Sequence, residues 1–151
     1  GYANNLKALV GGPAPELACD VWFNVPEGET VSIAGLRGKV VVLTLWAGFD
    51  RSPRARGRMN ELEQWHELYA DGSVAFVGVH ESTTAPEVIQ AALAEWKIGF
   101  PVGRDQDPFE TFDRYSINFV PQTILIDGDG IVRYYDIDNR LGELIKDLRR
   151  R

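Results

Sequence analysis

The chain has 151 residues, enough for one domain with its own core, since a chain of that length buries about 70% of its unfolded surface. With 44% hydrophobic and 25% charged residues it has the balance of a globular domain, and no run approaches the ~20 apolar residues of a membrane span. The net charge of −6 disfavours nucleic acid as a partner, and the single cysteine, Cys19, excludes an internal disulfide.

The opening "GYANNLKALVGGPAPEL" lacks the charged-then-apolar order of a signal peptide and reads as a domain cut from a longer chain, or as a processed one. "GGPAP" breaks regular structure, so residues 1–12 read as a linker or N-terminal arm and residues 13–151 as one domain. Two short strands are expected over residues 17–23 and 30–33, joined by the turn-like "VPEGE" into an N-terminal β-hairpin. "KVVVLTLW" (residues 39–46) is a continuous aliphatic run, the signature of a strand buried on both faces.

From about Pro53 to Tyr69 the period changes. Ala55, Met59, Leu62, His66 and Tyr69 fall on one helical face. "SVAFVGVH" is a second buried strand, and "APEVIQAALAEWKI" a helix with Pro86 suited to its first turn. A short strand "FPVGRD" and a short helix in "DPFETFDRYSI" follow as an extra inserted pair. "QTILID" and "IVRYYDI" then flank the turn "GDG", and "LGELIKDLRR" closes as a helix whose dipole Arg149, Arg150 and Arg151 complement. Alternating strands and helices with a terminal hairpin define an α/β sandwich with a mixed sheet.

Those phrases, in that order, resemble the thioredoxin-like superfamily, closest to its TlpA/ResA-type and redoxin branch. "GGPAPEL", "SIAGLRGKVVVLTLWA", "VAFVGVH" and "VPQTILIDGDGIV" carry the resemblance, which spans residues 10–149. It implies a three-layer α/β/α sandwich with a mixed central sheet, and a cis peptide bond at Val120-Pro121 beside the site. It also implies an extracytoplasmic setting, periplasmic or secreted.

The resemblance implies Cys-x-x-Cys at the start of the first helix after "WA", where the helix N-terminus acidifies the attacking thiol. Counting forward from Trp46 places Asp50 and Pro53 at those positions. Counting back from "MNELEQWHELY" places Ser52 and Ala55 there. Neither register holds sulfur. The segment Asp50, Arg51, Ser52, Pro53 is therefore a degenerate motif in which Asp50 or Ser52 caps the helix and Pro53 fits its first turn.

Cys19 is expected to pack in the core as an inert thiol. Asp50, Ser52 and His80 are the residue types of a hydrolytic triad, but the sequence supplies neither their mutual placement nor oxyanion donors, and the two histidines show no metal spacing. "DGDG" (residues 127–130) is a hairpin turn rather than a calcium loop. Arg51, Arg54, Arg56 and Arg58 crowd a helix start that disfavours cations; Arg51 and Arg54 are candidates for an anion contact, against the plainer reading of a solvated, ion-paired face.

The combined expectation is a redox-inactive domain without cofactor or metal, monomeric in isolation. Its retained groove, lined by Phe49, Asp50, His80, Val120 and Pro121, would bind a protein or peptide. The alternative is a thiol-disulfide oxidoreductase or peroxidase using Cys19 alone.

Overall fold

The aliphatic run lies at the heart of the sheet: Val40–Trp46 forms a strand in which every residue is buried. The structure is a computed structural model that describes residues 2–151, with side chains described from Leu6 onward. Its elements in chain order are α1 (Tyr2–Leu9), β1 (Cys19–Phe23), β2 (Val40–Trp46), α2 (Pro53–Leu68), β3 (Val74–His80), α3 (Pro86–Trp96), β4 (Val102–Asp105), α4 (Glu110–Arg114), β5 (Gln122–Ile126), β6 (Val132–Tyr134) and α5 (Leu141–Arg149). The strands form one sheet in the order β1-β4-β3-β2-β5-β6. β2 runs parallel to β3, and β3 to β4, while the remaining neighbours are antiparallel. The sheet is mixed, as expected.

Side chains alternate across a strand, so β2 feeds two cores. Val40, Val42 and Trp46 pack with Met59 and Leu62 of α2, Ile89 and Leu93 of α3, and Leu144 and Ile145 of α5. Val41, Leu43 and Leu45 pack on the other face with Leu6 of α1 and with Phe112 and Tyr115. Helices thus cover both faces, giving three layers. On α2 the expected stripe holds: Ala55, Met59 and Leu62 are buried, and His66 and Tyr69 are half-buried, with His66 edge-on to Phe76 and Phe100.

The N-terminal hairpin differs from expectation. Residues 30–33 form no strand, and β1 pairs instead with β4, placing Cys19 opposite Asp105. The cause is Glu16, whose carboxylate accepts the backbone N–H groups of Ile33 (2.6 Å) and Ala34 (3.2 Å). Those donors are satisfied by a side chain, and a 3-10 turn over Ala34–Leu36 follows in place of a ladder. Residues 1–12, read as a linker or arm, carry α1, whose Leu6 is buried in the second core. At the β5–β6 hairpin the Asp127 carboxylate accepts from the N–H groups of Asp129 and Ile131 and from Arg133. Its oxygens are thus used in holding the turn.

Candidate functional site at the start of helix α2

β2 ends at Trp46, and the chain crosses Gly48 and Phe49 before α2 begins. Ser52 is the N-cap, in extended conformation, its Oγ accepting from the Ala55 N–H at 3.2 Å, and Pro53 fills the first turn. Asp50 does not cap the helix. Its Oδ1 accepts from the Ser52 N–H at 3.1 Å and holds the loop one step earlier. The helix therefore starts at Pro53, with Ser52 as its cap and Asp50 two residues ahead of that cap. Ser52→Ala should cost about 1 kcal/mol, read as a lower urea midpoint with an unchanged slope.

Across the site, Val120-Pro121 is cis, as the resemblance implied. The Arg54 guanidinium reaches the Val120 and Pro121 carbonyl oxygens, at 3.4 Å each. The other arginines are engaged along the helix. Arg51 pairs with Glu95 (2.6 Å), Arg56 lies over the Trp96 ring at 5.0 Å, and Arg58 pairs with Glu61 (3.0 Å) and donates to the Asp138 carbonyl. Among the described residues Arg54 alone of the four lacks an aromatic or carboxylate partner, so of the two anion candidates it is the one left available.

His80, at the C-terminal end of β3, is fully buried and meets Trp46 edge-to-face. Its Nε2 accepts from the Gly48 N–H at 2.7 Å, and its Nδ1–H donates to the Glu81 carbonyl at 3.1 Å. An accepting Nε2 carries no proton, so the ring is the neutral Nδ1–H tautomer. Burial lowers its pKa, against smaller opposing effects from Glu81. The structure thus places His80 behind the loop, as the peg on which Gly48 hangs. The groove itself runs past Phe49, 69% exposed, and Phe119, 47% exposed, to Val120, with Ala47 and Ile117 among its floor residues. Phe109, Phe119 and Glu81, which also line it, carry no mark in the sequence. They come from three separate segments, and no periodicity joins them.

Cys19 lies on the edge strand, three strands from β2 and hence roughly 14 Å across the sheet. It is half-buried, its Sγ pressed against Gly103. Burial first, then the Asp105 and Asp20 carboxylates, push its thiol up to about 12. Among the described residues no group of three or more His, Cys, Asp or Glu is placed to hold a metal ion, and no helix is long and apolar enough to cross a membrane.

The AhpC/TSA family model matches residues 10–135, most of the chain, and the chain belongs to that family. Among curated relatives, Protein DipZ of Mycobacterium tuberculosis is 29% identical over 138 residues, covering 89% of this chain and 18% of that protein. The chain therefore spans less than a fifth of that relative. The thiol-disulfide oxidoreductase ResA of Halalkalibacterium halodurans is 29% identical over 130 residues, 85% of this chain and 71% of that one. Among solved structures, a thiol-disulfide isomerase from Corynebacterium glutamicum superposes with a TM-score of 0.77 at 26% identity, covering 91% of this chain and 96% of its own. The fold is thioredoxin-like, in a redoxin-family chain with one cysteine.

Proposed function

We propose that this domain is redox-inactive and binds an extended protein or peptide segment in the groove between the start of α2 and the Val120-Pro121 bond. The observation that carries the reading is the helix start itself. Ser52 is the cap and Ala55 the first buried residue of the helix, and neither that pair nor the pair Asp50 and Pro53 carries sulfur where the relatives' chemistry would call for thiols. Disulfide exchange needs an attacking thiolate, and none stands there.

Two further features support a binding role. Phe49 and Phe119 expose large rings beside the groove, where a domain without a ligand gains nothing from leaving them in water. Among the described residues the Val120 and Pro121 carbonyls meet only the long contacts from Arg54, which an incoming backbone N–H can displace in the manner of strand addition.

The test is reduction of insulin disulfides with dithiothreitol supplied, comparing the wild type with Cys19→Ser. No turnover above background is expected in either. Turnover that disappears in Cys19→Ser would overturn the reading in favour of a one-cysteine enzyme. A second expected result concerns the thiol directly. With its pKa pushed up to about 12, Cys19 should react with an aromatic disulfide reagent at pH 8 more than about 100-fold slower in the folded protein than after unfolding.

A further inference from the structure

Glu81 follows His80 at the end of β3, is 5% exposed, and is among the residues that line the apolar groove with Phe49 and Phe119. Its carboxylate accepts from the Thr83 N–H (2.7 Å), the Thr83 hydroxyl (2.6 Å) and the Thr84 hydroxyl. Burial raises its pKa, but these hydrogen bonds together outweigh burial and hold the group below its ordinary value, so it stays ionised. A buried carboxylate is ordinarily paired with a cation. Here the only basic nitrogen within 4.0 Å among the described residues is Nδ1 of His80, at 3.6 Å, and that ring is neutral. Arg104 donates to the Thr84 carbonyl close by, yet its guanidinium is committed to both oxygens of Asp20 (3.1 and 2.9 Å). Three donors occupy three of the roughly four acceptor positions a carboxylate offers. One acceptor position on Glu81, and its whole charge, are left for something else.

The rim of this pocket, which encloses about 300 Å³, bears three exposed phenylalanines, Phe49, Phe119 and Phe109. Phe109 has a backbone φ of +59°, a conformation disfavoured for a bulky residue, and its ring is still 39% exposed. Neither backbone preference nor burial accounts for a phenylalanine there; its one aromatic contact among the described residues is with Phe112, at 6.3 Å between ring centroids. Aromatic faces around an uncompensated buried carboxylate form a receptor for a cation on an apolar stem.

We propose that this pocket receives a lysine or arginine side chain of the bound segment, its stem between the rings of Phe49, Phe109 and Phe119 and its head on Glu81. This deepens the peptide-binding reading, on which it rests, by naming the side chain that the groove selects.

The experiment measures binding of four fluorescent hexapeptide pools, degenerate except for one central residue, to the wild type, Glu81→Gln and Phe109→Ala. The fixed residues are lysine, arginine, norleucine and glutamate, and folding of each variant is checked by thermal melting. The lysine and arginine pools are expected to bind about tenfold tighter than the norleucine pool, and the glutamate pool weakest. That ratio should fall towards one in Glu81→Gln and at least about threefold in Phe109→Ala. Equal binding of the lysine and norleucine pools would overturn the cation assignment while leaving the groove standing. Survival of the full ratio in both variants would overturn the assignment in the same way. Failure of every pool to bind would overturn the groove reading and the cation assignment together.

Discussion

Replacing His80 with leucine should destabilise the domain by about 2 kcal/mol at pH 7, a drop of roughly 4–8 °C in melting temperature for a chain of this size. Leucine is of similar bulk, so the loss is not a cavity. It comes from the Gly48 N–H, which gives up its 2.7 Å acceptor in a part-buried setting, and from the freed Glu81 carbonyl. The same bond sets a pH signature. The folded ring is held neutral with its pKa below the ordinary 6.5, so on acidification the unfolded chain takes up a proton that the folded chain refuses. Wild-type stability should therefore decline as pH falls below about 6.5, and decline further until the lowered folded pKa is reached. His80→Leu has no such group, so urea titrations at pH 7.5 and pH 5 should show the gap between the two proteins narrowing at the lower pH. Titrating groups that do not touch His80, such as the buried Asp105, are common to both proteins and cancel in the comparison, and the neighbouring Glu81, held below its ordinary range, stays ionised at both pH values. A gap that stays constant would mean that the folded ring takes up its proton as readily as the unfolded chain does, and that the loop hangs on something else.

The role of His80 marks where the sequence stops being legible. Its position at the end of a buried strand is readable from "SVAFVGVH", but the partner that fixes its tautomer, Gly48, is 32 residues away and has no side chain to betray the contact. By contrast β2 and α2 are legible because their signals are local and redundant: seven successive buried residues in one, a repeating buried face in the other. The expected N-terminal hairpin fails for the opposite reason. Residues 30–33 have strand composition, but one carboxylate from Glu16 claims the backbone donors that a ladder would need. Helix α1 is hidden by its brevity and by the glycines after it, and it exists through the burial of Leu6 rather than through propensity. The pocket around Glu81 is the extreme case. Phe49, Glu81, Phe109 and Phe119 come from four loops, and only the topology brings them to one sheet edge. The helix-start register is open in the sequence because two counts of the same loop disagree. The Ser52 cap is what places the first turn.

Because Ser52 places that turn, the loss of thiols can be reversed by design and separated from any change in the groove. Introducing cysteines at both positions, Ser52→Cys with Ala55→Cys, should yield a protein that forms an internal disulfide and reduces insulin at least about tenfold above the wild-type background, with Cys19 replaced by serine throughout. Positions three apart on the first helical turn lie within the Cα separation that a disulfide tolerates. Ser52 is exposed and Ala55 is 4% exposed, so the first thiol would face solvent and the second would sit inward to resolve the mixed disulfide. The helix N-terminus and the nearby guanidinium of Arg54 both favour a thiolate at position 52. The alternative pair, Asp50→Cys with Pro53→Cys, should stay largely dithiol, because position 50 precedes the cap by two residues and lies outside the helical turn. Thiol titration after air oxidation separates the two variants before any turnover is measured. If the 52/55 pair oxidises but reduces nothing, the groove has diverged along with the sulfur, and what it binds is no longer a disulfide-bearing chain. If the 50/53 pair oxidises instead, the helix start is displaced from where Ser52 caps it. Activity from the 52/55 pair would mean that two side chains separate this domain from its oxidoreductase relatives, and that the groove beside Val120-Pro121 has been kept for what it holds.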